Sequence, residues 1–510
     1  MALAISPEPI SLLDSPAQTT LGAAPKFQLS ATLAIDELLA ARRRRGEPVL
    51  PLGFGEAGIP VHPVLRHALA DAVGCNSYGP VAGLPALREA AAGYWARRDL
   101  PTDPDAVICG PGSKALLYGL VAAIGGDIAV TQPSWVSYAA QASLAGVTAH
   151  LIPACADQQG GGVPDAMALT RAVLAARARH RPIRAVIITL PDNPTGTLAA
   201  ASRVRAVCAV AERYDMVIIS DEIYRDLVYD DGPEFETPCS FTSERTVVTS
   251  GLSKSLALGG WRLGVARLPD GQLGHELRGR LLAIGSEIWS APANPIQHAA
   301  AYAYGEPAVL TDYIGQSRRL HAAVARAVAD RFAAAGASVR RPQAAFYVYP
   351  DFGPLADLLM GRYEVTSDDG LADLLLRRYG VGVLPASAFG EQAGRLRLRV
   401  ATAMIYGETE EQRRMALAAD DPCELPWIAA ALGRLEEVLA DLTGLAPVHQ
   451  ARGAPMPRGQ RRERVGTGAR DVAGGARVYG WVRPCPNQRV DLPLRADLSP
   501  VFAGYSLTMR

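Results

Sequence analysis

The chain has 510 residues, of which 49% are hydrophobic and 20% charged, and its formal net charge is +0. This composition is that of a globular protein with two or three structural units, and the balanced charge excludes attachment to a polyanion by bulk charge alone. The sequence contains no uninterrupted apolar run of about 18 residues, so we expect no membrane span. The N-terminal segment does not resemble a secretory signal. The seven cysteines are scattered without a CxxC pair, so we expect a cytoplasmic chain with reduced thiols and no metal site.

The N-terminal region, residues 1–46, is predicted to be an arm followed by a helix. The helix has the sequence ATLAIDELLAARRRRG, and Gly46 is expected to end it. The run Arg42–Arg45 suggests either an anion or RNA patch or a solvated helix end. We favour the solvated end, because the helix dipole stabilises cations there.

The main domain is predicted over residues 47–300. Between about residues 105 and 270, apolar strands alternate with helices such as SKALLYGLVAAI and SRVRAVCAVAERY. This alternation predicts an α/β fold with a mostly parallel sheet sandwiched by helices. The predicted strands are DIAVTQP, RAVIITLP, MVIISDE, RTVVTSG and GVARLP. In such a sheet, a ligand binds beyond the carboxyl ends of the strands.

The C-terminal part of the chain is predicted to hold a smaller α+β domain over residues 301–445. Residues 295–335 are predicted to form one long helix, and the last helix is expected to end at Gly444. Residues 446–510 are rich in Arg, Gly and Pro and are predicted to be a disordered tail. A translation-frame artefact and a nucleic-acid-binding tail are the alternatives for this segment.

Lysine is scarce in this chain. Only Lys26, Lys114 and Lys254 occur, and all other basic residues are arginine. Chemistry that needs a deprotonatable amine therefore has three candidates, because arginine stays protonated.

Polar segments follow the predicted strands at the ligand-binding edge. Asn193 lies in PDNPTG, Asp221 directly follows MVIIS, Tyr224 comes three residues later, and Lys254 follows RTVVTS. Read alone, these could be an Asn-Pro turn, a helix N-cap and a surface charge. Their common position after strands favours one shared pocket.

A glycine-rich segment, CGPGSKALLYG, opens a predicted helix. The backbone N–H groups of Ser113 and Lys114 are free there to bind a phosphate, although the spacing does not match a Walker A loop. Phosphate donors, an amine and a carboxylate together suit pyridoxal phosphate. The amine forms a Schiff base, and the carboxylate keeps the pyridine nitrogen protonated.

The order and spacing of these motifs resemble the class I and II aminotransferases of fold type I, in the aspartate aminotransferase superfamily. The resemblance runs from about Leu52 to Leu445, and its most specific piece is S-K-(x)7-R-x-G, from Ser253 to Gly264. It implies a seven-stranded type of sheet and a homodimer with shared active sites.

The resemblance also implies roles for individual residues. Lys254 resembles the Schiff-base lysine that moves the substrate proton, and Asp221 resembles the partner of the pyridine nitrogen. Asn193 and Tyr224 resemble the donors to the 3′-oxygen of the cofactor, and Trp135 the aromatic residue stacked on its ring. The other cofactor-binding residues implied are Ser113, Lys114, Ser250, Ser253, Arg262 and Tyr78, the last reaching the phosphate of the neighbouring subunit.

The segment GRLRLRVATA resembles the part of the family that binds the substrate carboxylate. Arg395, Arg397 and Arg399 alternate, so all three are expected on one face of a strand. The family pattern favours Arg397 as the binding residue and leaves the other two as alternatives. Gly55 and Asn193 are expected beside the same carboxylate.

The predicted reaction is a ping-pong transfer of an amino group between an L-amino acid and a 2-oxo acid. The alternatives are a lyase, a racemase or a cyclopropane-forming synthase that uses the same cofactor, and a non-enzymatic aminotransferase-like regulator. No second arginine dedicated to a side-chain carboxylate is evident, so the sequence does not support specificity for a dicarboxylate substrate. Ile59, Val61 and Val81, expected near the entrance, would suit a substrate with a neutral or apolar side chain. We expect no nucleic-acid or membrane partner.

Overall fold

This computed structural model describes residues 30–155, 161–392 and 394–445, and the strands given below are those of the described residues. They are β1 Leu50–Pro51, β2 Val107–Gly110, β3 Asp127–Gln132, β4 Ala149–Pro153, β5 Ile183–Thr189, β6 Val217–Asp221, β7 Thr246–Gly251, β8 Gly264–Arg267, β9 Tyr347–Val348, β10 Val381–Gly382, β11 Leu384–Pro385 and β12 Leu398–Ala401.

Seven of these strands form one sheet in the order β2-β8-β7-β6-β5-β3-β4. Strand β8 is antiparallel to both of its neighbours, and the other pairs are parallel. The predicted mostly parallel sheet is therefore confirmed. Two smaller groups are the antiparallel β11-β12-β9 and the parallel pair β1-β10.

Helices cover both faces of the seven-stranded sheet. The helices are α1 Ala31–Arg44, α2 Pro63–Ala72, α3 Pro85–Ala96, α4 Ser113–Ile124, α5 Ser137–Leu144, α6 Ala166–Ala178, α7 Ala201–Arg213, α8 Cys239–Thr242, α9 Gly271–Ile288, α10 Asn294–Tyr304, α11 Ala308–Ala334, α12 Ala356–Tyr363, α13 Asp368–Tyr379, α14 Glu410–Ala418 and α15 Pro426–Thr443. Among the described residues, none of the helices is both long enough and apolar enough to cross a membrane.

Successive side chains of the central strand β5 enter two different cores. Ile187 packs with residues of α4 and α9. Val186 and Ile188 pack with residues of α6 and α7. Because neighbouring side chains of a strand point to opposite faces, a stretch that is buried on both faces is apolar at consecutive positions, as in Ala185–Ile188. This explains the continuous apolar runs in the sequence.

The long helix predicted over residues 295–335 is wrong, because the chain forms two helices there. Helix α10 ends at Tyr304 and α11 begins at Ala308. Between them, Glu306 has a φ of 52° and Pro307 is the N-cap of α11. Proline lacks the backbone N–H that a continuous helix needs, and it disfavours helical backbone in the residue before it.

The ends of the predicted helices agree better with the structure. Helix α1 is followed by Gly46 at a φ of 69°, and α15 is capped by Gly444 at a φ of 73°. The proposed domain boundary at residue 300 lies within α10 and stays a prediction. The predicted tail, residues 446–510, lies outside the described residues.

One edge of the large sheet collects the carboxyl ends of most strands. Strands β2 and β7 each pair antiparallel with β8, so both run in the direction of β6, β5 and β3. Polar segments that follow these five strands therefore meet at one edge, as the sequence predicts.

The start of α4 is held against this edge by a close backbone approach at Gly264. A Cβ on this residue would lie 2.2 Å from the Ser113 backbone nitrogen. Only glycine allows the two segments to approach so closely.

We predict that Gly264→Ala lowers the free energy of unfolding by about 1–3 kcal/mol, because backbone atoms must move apart to admit the methyl group. The matched control is Gly279→Ala in the middle of α9, where no atom lies within 4 Å of the new Cβ. Alanine should stabilise that helix by about 0.5–1 kcal/mol. Urea unfolding of both variants measures the difference, and an unchanged stability for Gly264→Ala would contradict the packing account.

Candidate active site

A cavity of about 570 Å³ lies at the carboxyl edge of the sheet. The predicted site residues that line it are Gly55, Ser113, Lys114, Trp135, Asn193, Asp221, Tyr224, Ser253, Lys254 and Arg262. Other lining residues include Ser30, Thr32, Phe54, Glu56, Tyr138, Thr189, Tyr347 and Arg399. The structure thus brings most of the predicted residues into one place.

Lys254 lies three residues beyond the end of β7 and is buried in the cavity. Its Nζ donates a 2.5 Å hydrogen bond to the backbone oxygen of Gly55. Burial, assisted by Arg399, lowers the pKa of this amine to about 8, and Glu56 partly counteracts the change. An amine with this pKa loses its proton far more readily near neutral pH than an exposed lysine does.

Asp221 is the last residue of β6, and its carboxylate is buried. Burial raises its pKa to about 6, although hydrogen bonds oppose the rise. The strongest of these comes from the Tyr138 hydroxyl, which donates to Asp221 Oδ2 at 2.8 Å and lies 2.9 Å from Thr189 Oγ1. This carboxylate is held in place to accept a proton from a group in the cavity.

The beginning of α4 forms a cradle for an anion. Gly112 precedes the helix at a φ of 85°, and a Cβ there would lie 2.3 Å from an Arg262 terminal nitrogen. Arg262 adopts a left-handed φ of 54° and donates to the Gly259 backbone oxygen at 2.7 Å. A guanidinium thus sits beside the free N–H groups of Ser113 and Lys114, which is an arrangement that suits a phosphate.

Two aromatic residues and a lysine flank this cradle. Trp135 meets Tyr138 edge to face, with ring centroids 5.3 Å apart. Lys114 Nζ lies 5.0 Å from the Trp135 ring centroid, and burial together with Arg262 lowers the pKa of this lysine. The Trp135 ring is therefore fixed at the wall of the cavity.

Arg399 also lines the cavity and is only 1% exposed. It donates to the Gly53 backbone oxygen and, at 3.4 Å, to Asn193 Oδ1, while its Nε has no hydrogen-bond partner in the described chain. Burial lowers its pKa, and no carboxylate within residues 30–155, 161–392 and 394–445 pairs with it. A buried guanidinium without a counter-charge is a ready site for a ligand carboxylate.

The expectation that Arg397 occupies this site is wrong. Arg397 forms ion pairs with Asp351 at 2.7 Å and with Glu391 at 3.1 Å, and it lines a second cavity together with Arg395. Its charge is already neutralised there. The expectation of three arginines on one strand face also fails, because β12 begins at Leu398, after both of these arginines.

Some predicted residues do not line the cavity. Ser250 is buried within β7, and Tyr78 is 93% exposed on the surface of the single subunit. The apolar residues that were expected near the entrance, Ile59, Val61 and Val81, are not among those that line the cavity, so they give no support to an apolar substrate.

The cavity residues that the sequence analysis did not single out include Tyr138, Thr189 and Tyr347. Tyr138 lies three residues after Trp135 at the start of α5, and this spacing was the available signal. Thr189 ends β5, and strand-end position was its signal. Tyr347 carried no such signal, because it reaches the cavity from β9, which belongs to a different sheet.

Comparison with known proteins agrees with this geometry. The model of the family described as aminotransferase class I and II matches residues 48–416. An aspartate aminotransferase of Bacillus sp. (strain YM-2) is 30% identical over 395 residues, covering 75% of this chain and 95% of that protein. An aspartate/prephenate aminotransferase of Thermus thermophilus is 30% identical over 399 residues, covering 76% of this chain and 94% of its own.

Solved structures show the same similarity. The aspartate aminotransferase from Thermus thermophilus with maleate superposes with a TM-score of 0.67 at 27% identity, covering 81% of this chain and 97% of that one. The aspartate aminotransferase from Thermotoga maritima gives a TM-score of 0.65 at 25% identity, with coverages of 81% and 97%. The chain therefore belongs to the aminotransferase class I and II family, and it is a pyridoxal phosphate-dependent transaminase of fold type I.

Proposed function

We propose that Lys254 is the Schiff-base lysine of this transaminase and that it also moves the substrate proton. The observation that carries the proposal is the Lys254 amine, buried with a pKa of about 8 in the same cavity as the Asp221 carboxylate and Arg399. An amine that is easily deprotonated can act both as a nucleophile and as a base.

The residues of the cavity fit pyridoxal phosphate group by group. The backbone N–H groups of Ser113 and Lys114 and the Arg262 guanidinium would bind the phosphate, and the cradle at Gly112 leaves room for it. Asp221 would bind the pyridine nitrogen, and Trp135 would cover the ring. When bound, the cofactor supplies an aldehyde that takes up the amino group and a ring that withdraws electrons from the substrate.

Residues of this chain can also donate hydrogen bonds to the 3′-oxygen of the cofactor and carry the substrate proton. We assign the donors as Asn193 and Tyr224, both of which line the cavity. With the cofactor bound, Lys254 Nζ would accept the proton of the amino acid Cα and deliver it to the cofactor within the same half of the exchange, before the 2-oxo acid leaves. The Asp221 carboxylate would balance the positive charge of the protonated pyridine nitrogen. The Tyr138 hydroxyl holds this buried carboxylate in place. A lyase or racemase is not favoured, since the relatives are aminotransferases.

Arg399 is our choice for the residue that binds the substrate α-carboxylate. Its guanidinium lies against Asn193 and against Gly55, whose Cβ would come 3.5 Å from an Arg399 terminal nitrogen. Both neighbours were expected beside the carboxylate. Arg399 therefore takes the role that the sequence pattern gave to Arg397.

We further propose aspartate as an amino donor. One relative at 30% identity is named aspartate aminotransferase, and another is named aspartate/prephenate aminotransferase. Besides Lys254 and Arg262, for which we propose other roles, the cavity offers Lys114 Nζ as a side-chain cation in addition to Arg399. The pair can bind the two carboxylates of such a substrate without a second arginine.

We also propose that the protein acts in the cytoplasm as a homodimer. Tyr78 is 93% exposed, and nearby in the chain Val73 is 74% exposed. Exposed apolar side chains of this kind are typical of a surface that a second subunit covers. Tyr78 would then reach the phosphate site of the partner.

We predict that Lys254→Ala abolishes both the visible absorbance of the covalently bound cofactor and the turnover of amino acids. Lys254→Arg is the matched control for charge, and it should also lose both, because arginine stays protonated. Absorption spectra and a transamination assay measure the two properties. Retention of either property by the alanine variant would refute the assignment of Lys254.

A second prediction separates the two neighbouring arginines. Arg399→Lys removes the paired donors for a carboxylate and should lower kcat/KM by about ten- to hundredfold. Arg397→Lys keeps the ion pairs outside the cavity and should change kcat/KM by less than about threefold. Steady-state kinetics with aspartate test the pair, and the reverse ranking would restore Arg397 as the binding residue.

A third prediction concerns the side chain of Lys114. Lys114→Gln leaves the backbone N–H in place but removes the cation, so kcat/KM for aspartate should fall by about ten- to hundredfold. The value for alanine, which has no side-chain carboxylate, should change little. An equal fall for both substrates would show that Lys114 does not recognise the side-chain carboxylate.

A further inference from the structure

We propose that Tyr347 is a positioning residue, whose hydroxyl donates to Tyr224 and so keeps the Tyr224 proton directed at the cofactor. The inference rests on the proposed roles of Lys254 and Tyr224. It extends them, because neither the sequence pattern nor those roles involve Tyr347.

The two tyrosines share one hydrogen bond inside the protein. Their hydroxyl oxygens lie 2.7 Å apart, and both side chains are buried. Either hydroxyl can donate, and only one proton can lie between the two oxygens. If Tyr224 donated to Tyr347, its proton would be unavailable to a ligand. The direction of this bond therefore decides whether Tyr224 can serve as a donor in the cavity.

The surrounding charges favour donation by Tyr347. The Arg399 guanidinium carbon lies 5.1 Å from the Tyr347 ring centroid. Burial raises the pKa of both hydroxyls, and Arg399 opposes the rise at both. At Tyr347 only burial has a larger influence than Arg399, whereas at Tyr224 the influence of Tyr347 also exceeds it, and the pKa of Tyr224 is raised well above its ordinary value. The more acidic hydroxyl of a pair is the better donor. Tyr347 therefore donates, and the bond polarises Tyr224 as a donor in turn.

Other charged groups act on Tyr224 from the remaining sides. Lys254 Nζ lies 5.7 Å from the Tyr224 ring centroid, and Asp221 raises the pKa of Tyr224. Asp221 acts on the pKa of Tyr224 and not on that of Tyr347. The pKa of Tyr224 therefore stays above that of Tyr347, which keeps Tyr347 the better donor.

Packing leaves Tyr347 little freedom to turn away. Its backbone pairs with Ala401 of β12, and the Phe346 ring lies 4.8 Å from the Tyr347 ring. A Cβ on Gly55 would lie 2.6 Å from the Tyr347 hydroxyl, so glycine is required for the close approach. Tyr347 thus connects the arginine at the substrate end of the cavity with the tyrosine at the cofactor end.

The test is a pH titration of the visible absorbance of the holoenzyme. The variants are Tyr347→Phe, Tyr224→Phe and the double variant. Tyr349→Phe is the matched control, because this tyrosine also lies near the end of β9 but lines the second cavity. Phenylalanine keeps the ring beneath Arg399 and removes only the hydroxyl. The pH midpoint of this absorbance change should rise when a donor to the 3′-oxygen of the cofactor is lost, because the ionised oxygen is then less stabilised.

We expect Tyr347→Phe to raise the midpoint by about 0.3 unit, in the same direction as Tyr224→Phe but by less. In the Tyr224→Phe background, removal of the Tyr347 hydroxyl should have no further effect. Tyr349→Phe should leave the midpoint unchanged.

The sign of the shift makes the proposal falsifiable. A lower midpoint for Tyr347→Phe would mean that Tyr224 donates to Tyr347, and an unchanged midpoint would mean that the contact has no influence. A shift that persists without the Tyr224 hydroxyl would mean that Tyr347 acts by another route. Each of these results overturns the proposal. Failure of the proposed function is distinct, because it would appear as visible absorbance retained by Lys254→Ala.

Discussion

Enclosure of the Lys254 amine is the constraint on which the rest of the site depends. An exposed lysine would stay protonated near neutral pH, whereas burial brings the pKa of this amine to about 8. Burial also raises the pKa of Asp221 to about 6, so the pKa values of both groups lie closer to neutral pH than they would in water. The surrounding protein compensates with fixed polar partners, namely the Gly55 backbone oxygen for the amine and the Tyr138 hydroxyl for the carboxylate.

The sheet provides this enclosure by its topology. Parallel strands end at one edge, so segments far apart in the chain place an amine, a carboxylate and an anion cradle around one cavity. A second sheet, β11-β12-β9, supplies Arg399 and Tyr347 from another part of the chain. The site therefore combines two structural layers. The large sheet provides the groups that suit the cofactor, and the small one provides the group that suits a carboxylate and the tyrosine that contacts Tyr224.

Much of this could be predicted from the sequence, because apolar strand runs and strand-end polar residues are local patterns. Lys254, Asp221 and Asn193 follow strands directly, and all three line the cavity. The choice of Arg397 over Arg399 failed, because the ion pairs that neutralise Arg397 come from residues distant in sequence. Tyr347 was missed for the same reason, since only tertiary packing brings it to Tyr224.

The most direct test of the central claim is to locate the covalent cofactor on the chain. Reduction of the holoenzyme with borohydride fixes the cofactor to its lysine, and peptide mass spectrometry then identifies the modified residue. Because the chain contains only three lysines, the answer is unambiguous. We expect the modification on Lys254 alone. Attachment to Lys114 or Lys26 would contradict the account, since the enclosed amine would then not be the one that holds the cofactor.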